Sequence, residues 1–95
     1  MATLHLPLIG EDFHQIKAGT KPKEYRLFND YWIQRLVGRS YNRVVLTWGY
    51  PKADDTERRI SCPWQGYTIE TIQHEHFGPD PVTVFSIDVR NVSPV

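Results

Sequence analysis

Apolar and polar positions change their period several times along the chain, and each change marks an element. Leu4, Leu6 and Leu8 alternate with His5 and Pro7, the period of two expected of a short half-buried strand. Gly10 ends that run, and Glu11 and Asp12 open a short helix with acid at its positive end. Phe13, Ile16 and Lys17 share one helical face, and Gly19 supplies the stop. Pro22 disfavours helix at Lys21, so the chain is extended from about that point. Period two then puts Glu24 and Arg26 on one face of the next strand and Lys23, Tyr25 and Leu27 on the other.

Asn29 or Asp30 is placed to cap a second helix, YWIQRLVG, whose apolar stripe is Trp32, Ile33, Leu36 and Val37. The run NRVVLTW, residues 42–48, is the strongest strand signal, continuous enough to imply burial on both faces. Gly49-Tyr50-Pro51 breaks it, and PKADDTE reads as an exposed loop. Further strands are expected over residues 58–62, 66–76 and 82–89, the last centred on Val84 and Phe85, with NVSPV as a frayed tail. The pattern predicts an α+β chain, mainly β, with five or six strands and two short helices. A sheet that small protects its edges best by curling into a barrel plugged by a helix.

Composition narrows the class. Ninety-five residues suffice for one domain, 1–95, without a second core. Eleven basic residues balance eleven acidic ones, so no global field draws the chain to nucleic acid and any such role needs a local patch. One cysteine, Cys62, rules out an internal disulfide framework and a multi-cysteine zinc site, and a reduced cytoplasmic setting is the simplest expectation. MATLHLPLIGEDF lacks the basic flank of a signal peptide, and no segment approaches the length of a membrane span.

Four groups of residues bear on chemistry. GTKPKEYR, residues 19–26, holds three cations and one carboxylate. Lys21, Glu24 and Arg26 could hold a phosphate or a polar base edge, or could be a solvated turn with a surface ion pair worth under about 1 kcal/mol. His74 and His76, two apart on an expected strand, would point one way, but a third metal ligand (His14, His5 or Asp12) has no motif spacing, and two solvated histidines are the simpler reading. Nothing beside Cys62 lowers a thiol pKa, which leaves a half-buried cysteine in a strand. Trp48 and Tyr50 flank Gly49 at the end of the central strand, either as core and cover or as rings on which a base stacks. No cofactor motif, glycine-rich phosphate loop, nucleophile elbow or DNA-specific motif occurs.

Gly19-Thr20-Lys21-Pro22-Lys23-Glu24-Tyr25-Arg26 matches G-x-K-x-x-E-x-R, and in this the chain resembles the ASCH family. The preceding LHLPLIGEDFHQIKAG looks like that family's first strand and helix, and YWIQRL, YNRVVLTWGYP and VFSIDV resemble the small stand-alone members of bacteria and phages. The resemblance implies a PUA-like β-barrel and a cleft floored by the motif, suited to RNA or a modified nucleobase. Lys21, Glu24 and Arg26 would line it, with Trp48 and Tyr50 as walls and Arg35 as a further contact. Some relatives are amidohydrolases that remove the acetyl group of N4-acetylcytidine, using the motif lysine with a threonine nucleophile where this chain has Glu24. Lys21 matches them, but a carboxylate lacks the hydroxyl that would carry an acyl intermediate. On a hydrolytic route Lys21 and Glu24 would be the catalytic pair, with Glu24 as general base on water, and Glu70 or Glu75 are candidates for a downstream partner. Other relatives are described as ribonucleases, in which Lys21 and Arg26 would stabilise the developing phosphorane charge. The leading expectation is therefore an RNA- or nucleotide-binding module. A small hydrolase acting on a modified nucleoside or on RNA, and a peptide-binding adaptor with a protein partner, are the alternatives.

Overall fold

The computed structural model describes residues 2–95 and places seven strands and two α-helices in the order β1 (Thr3–Leu8), α1 (Gly10–Ala18), β2 (Lys23–Leu27), α2 (Asp30–Leu36), β3 (Arg43–Trp48), β4 (Arg59–Pro63), β5 (Tyr67–Ile72), β6 (Val82–Asp88) and β7 (Ser93–Pro94). A single 3-10 turn, Glu75–Phe77, lies between β5 and β6. The fold is α+β and mainly β. No described helix is long and apolar enough to cross a membrane.

The strands form two sheets, in the orders β1-β3-β4-β7 and β2-β6-β5. β1 runs parallel to β3, with Leu4 opposite Val44 and Leu8 opposite Trp48, and the other pairs are antiparallel. A parallel pair needs a crossover. Here the crossover consists of α1, β2 and α2, so the motif strand is carried into the opposite sheet. Alternation decides what faces inward. Leu4, Leu6 and Leu8 of β1 meet Val44 and Leu46 of β3, Ile60 and Cys62 of β4, and Phe85 and Ile87 of β6 in one core, closed by Phe13 and Ile16 of α1 and Leu36 of α2. These side chains are each nearly inaccessible, and burying one of that size stabilises by about 1.5–3 kcal/mol.

The expected barrel does not close: among the described residues the two sheets share no ladder. β1 and β2 are edge strands, and Pro7 in β1 lacks the N–H that a further ladder would use. A side chain bridges the gap instead, as Arg26 Nη2 of β2 donates to the Pro7 carbonyl at 2.9 Å. Three further expectations are corrected. The strand from residue 66 stops at Ile72, so His74 and His76 are not strand neighbours: His74 caps the 3-10 turn and His76 lies within it. The tail is not frayed, because Ser93 pairs with Ser61 and Pro94 with Ile60. Cys62 is fully buried rather than half-buried.

Candidate functional site

The open seam between β1 and β2 is a cavity of about 300 Å³. The end of β1 (Pro7, Leu8, Ile9) forms one side and residues 21–27, with Pro22 and Lys23 excepted, form the other; Asp12, Trp32, His74, His76 and Phe77 complete it. Its size lies at the lower end of small-molecule sites.

Local sequence fixes the motif's position. Gly19 ends α1 with φ 82°, a left-handed conformation that glycine adopts without Cβ strain. The Gln15 carbonyl then accepts from Thr20 N–H at 3.0 Å, Lys21 N–H at 3.2 Å and Thr20 Oγ1 at 3.1 Å. Lys21 is thus pinned to the end of α1. Val89 N–H donates to the Pro22 carbonyl at 3.0 Å, which holds the start of β2 against β6.

The alternation read from the sequence holds: Glu24 and Arg26 share one face of β2 and form an ion pair, Arg26 Nη2 to Glu24 Oε2, of 2.9 Å. The other carboxylate oxygen, Glu24 Oε1, lies 3.7 Å from Lys21 Nζ. Glu24 therefore sits between two cations, 6% exposed on the cavity wall. Burial pushes its carboxyl above the ordinary carboxylate range, even though Arg26 and Lys21 pull it down; Asp12 nearby adds to the rise. The cations are held by rings as well. Lys21 Nζ lies 5.0 Å from the centroid of Tyr25, and the Arg26 guanidinium 5.1 Å from that of Trp32. Arg26 Nε is buried without a hydrogen-bond partner.

The 3-10 turn brings the two histidines to the cavity. His74 Nδ1 accepts from His76 N–H at 3.2 Å, which leaves the proton of a neutral His74 ring on Nε2. The rings lie 4.9 Å apart, and His74 also packs against Tyr25 and Phe77. Among the described residues no group of three His, Cys, Asp or Glu side chains is placed to hold a metal ion.

Two expected walls are elsewhere. Trp48 does not line the cavity; it packs under α1, stacked on Phe13, edge-on to His14 and covered by Arg58. Tyr50 is 91% exposed, because Gly49 turns the chain outward with φ 65°. Arg35 lies over the Tyr31 ring at 3.4 Å and donates to the Tyr31 carbonyl. Arg35 and Tyr50 line an adjoining groove rather than the cavity itself. The walls that sequence reasoning missed are Tyr25, Trp32, Phe77 and the two histidines. Trp32 carried a signal, since a tryptophan at the start of a seven-residue helix two residues past the motif strand is well placed to reach back over it. The histidines carried none, because their position depends on where β5 ends.

Compared with protein-family models, curated proteins and solved structures, the chain has no significant match.

Proposed function

We propose that the chain is an RNA- or nucleotide-binding module of the ASCH, PUA-like kind, holding a nucleobase in the seam between β1 and β2 in a reduced, cytoplasmic setting. One observation carries this reading. Glu24 is buried between Lys21 and Arg26 on the wall of a cavity that also presents the rings of Tyr25 and Trp32. A buried ion pair adds little to stability compared with apolar packing of the same volume. Titratable groups with perturbed pKa values that line a cleft are more characteristic of a site. A base is planar and carries donors and acceptors on its edge, so rings suit its faces and Glu24, Lys21 and Arg26 suit its edge. The test is a titration with the four nucleoside 5′-monophosphates and with short RNA. Replacing Lys21 and Glu24 together by alanine is expected to abolish binding, and unchanged affinity in that variant contradicts the reading.

A second reading, hydrolysis of an acyl group from a modified nucleoside, is favoured by the raised carboxyl of Glu24. A carboxylate shifted toward neutrality is a better general base on water, and Lys21 beside it would stabilise the oxyanion formed when that water adds to the acyl carbon. A panel of acylated nucleosides and labelled RNA decides it. Turnover that disappears in Glu24→Gln supports the enzyme, and equal rates in the two proteins remove it.

A further inference from the structure

The cavity does not end at Arg26. Pro7 and Arg26 also form part of two open grooves that run on from it. One, of about 360 Å³, passes over Trp32 to Arg35 and the ring of Tyr31. The other passes from Ile9 and Gly10 to Trp48. Tyr50 stands between the two and belongs to both. The three spaces therefore meet at Pro7 and Arg26, and the Arg26 Nε–H is unpartnered.

Charge is distributed unevenly along this path. In the cavity the two cations face Glu24 and Asp12, so formal charge there is close to balanced. Among the described residues the two grooves are lined by no carboxylate and by two charged side chains, Arg35 and the Arg26 already paired with Glu24. A protein with eleven basic and eleven acidic residues thus places one further cation, Arg35, on a path beside a balanced pocket. A balanced pocket with aromatic walls suits an uncharged base, and a cationic path with exposed rings suits a phosphodiester backbone and the bases attached to it. Tyr50 is 91% exposed, and Tyr31, covered on one side by Arg35 and edge-on to Trp32, is still 55% exposed.

We infer that the ligand is a single-stranded nucleic acid, with one base in the seam cavity, its backbone turning past Arg26, and flanking nucleotides lying along Arg35, Tyr31 and Tyr50. This rests on the reading of the cavity as a base site and specifies its substrate class: a chain of nucleotides rather than a free nucleoside. Arg26 is the junction between the base and the backbone, and Arg35 and Tyr50, which lie outside the cavity, account for the preference for the longer ligand.

The test compares the four nucleoside 5′-monophosphates with fluorescein-labelled RNA and DNA hexamers of mixed sequence, titrated into the full chain at fixed salt. The hexamers are expected to bind at least about tenfold more tightly than any mononucleotide, since each stacked base contributes on that scale. Arg35→Ala with Tyr50→Ala is expected to collapse this advantage, so that hexamer and mononucleotide bind alike. Both substitutions are at the surface and leave the core untouched, so circular dichroism and melting should match the wild type. Lys17→Ala on α1 removes one exposed cation away from the path and should preserve the advantage. An RNA hexamer favoured over the DNA hexamer assigns the chain to RNA, and equal binding assigns it to single strands of either sugar. If mononucleotides bind and hexamers gain nothing, or if the double variant keeps the advantage, the path is wrong and the base site stands. If neither binds, the base site falls and the path with it.

Discussion

Arg26 makes two bonds that define the seam: its Nη2 lies 2.9 Å from Glu24 Oε2 on its own strand and 2.9 Å from the Pro7 carbonyl on the facing edge. One side chain therefore both neutralises the buried carboxylate and ties together the two sheets where no ladder joins them. Stability and binding are coupled through it, and the consequences separate by mutation.

Arg26→Ala is expected to destabilise the fold by about 2–4 kcal/mol, because Glu24 is left buried beside Lys21 alone and the Pro7 carbonyl loses its donor. Glu24→Gln keeps the acceptor oxygen and should cost about 1 kcal/mol or less. Urea denaturation of the two variants gives the order directly, and the reverse order would contradict the account of Arg26 as the clasp.

The raised carboxyl of Glu24 also fixes the sign of a pH effect. A group whose pKa rises on folding contributes stability that is present in full below its unfolded pKa and is lost as pH climbs through the folded value. Wild-type stability relative to Glu24→Gln should therefore fall as pH rises above the ordinary carboxylate range. Using the difference between the two proteins cancels the carboxylates that shift the other way, such as Asp88, which Arg90 holds below its usual range. A difference that grows with pH would show that the two cations outweigh burial at Glu24.

Gly10 begins α1 directly over Trp48, and a Cβ there would lie 2.9 Å from Trp48 Nε1. Phe13, His14 and Arg58 surround that indole, so it has little room to move. Gly10→Ala should cost about 1–2 kcal/mol in a thermal melt, the usual scale of overpacking, despite the better helix propensity of alanine. A stabilised variant would mean that Trp48 is free to shift, as a ligand-facing wall would be.

Cys62 should be inert. It is buried in β4, and burial, with Asp88 adding to it, pushes the thiol up to about 11, so the thiolate fraction near neutrality is on the order of 10⁻⁴. A thiol-specific reagent is expected to label it only after unfolding. Rapid labelling of the native protein would contradict its place in the core.

What could be read in advance was local. The alternation of β2, the end of α1 at Gly19 and a cap of α2 at Asn29 or Asp30 each follow from a few adjacent residues, and of the two Asn29 accepts from Trp32 N–H at 3.1 Å. The seam could not be read, because it depends on β1 pairing with β3 rather than with β2, a contact between residues some forty positions apart. Trp48 and Tyr50 read equally as core and cover or as stacking rings, since two rings on either side of a glycine look equivalent until its positive φ sends one under α1 and the other into solvent. The histidines were lost at the end of β5, where His74, an unusual cap, opens a 3-10 turn in place of further strand.

The most direct measurement of the central claim is a proton–nitrogen correlation spectrum recorded while the four nucleoside 5′-monophosphates are titrated in turn. The chain holds three indole N–H groups in different settings: Trp32 on the cavity, Trp48 packed beneath α1, and Trp64 against Tyr41 and Tyr67. Binding in the seam should move the Trp32 indole and the unpartnered Arg26 Nε–H while leaving Trp64 in place. A nucleotide that shifts Trp64 and spares Trp32 and Arg26, or four nucleotides that shift none of them, would contradict it.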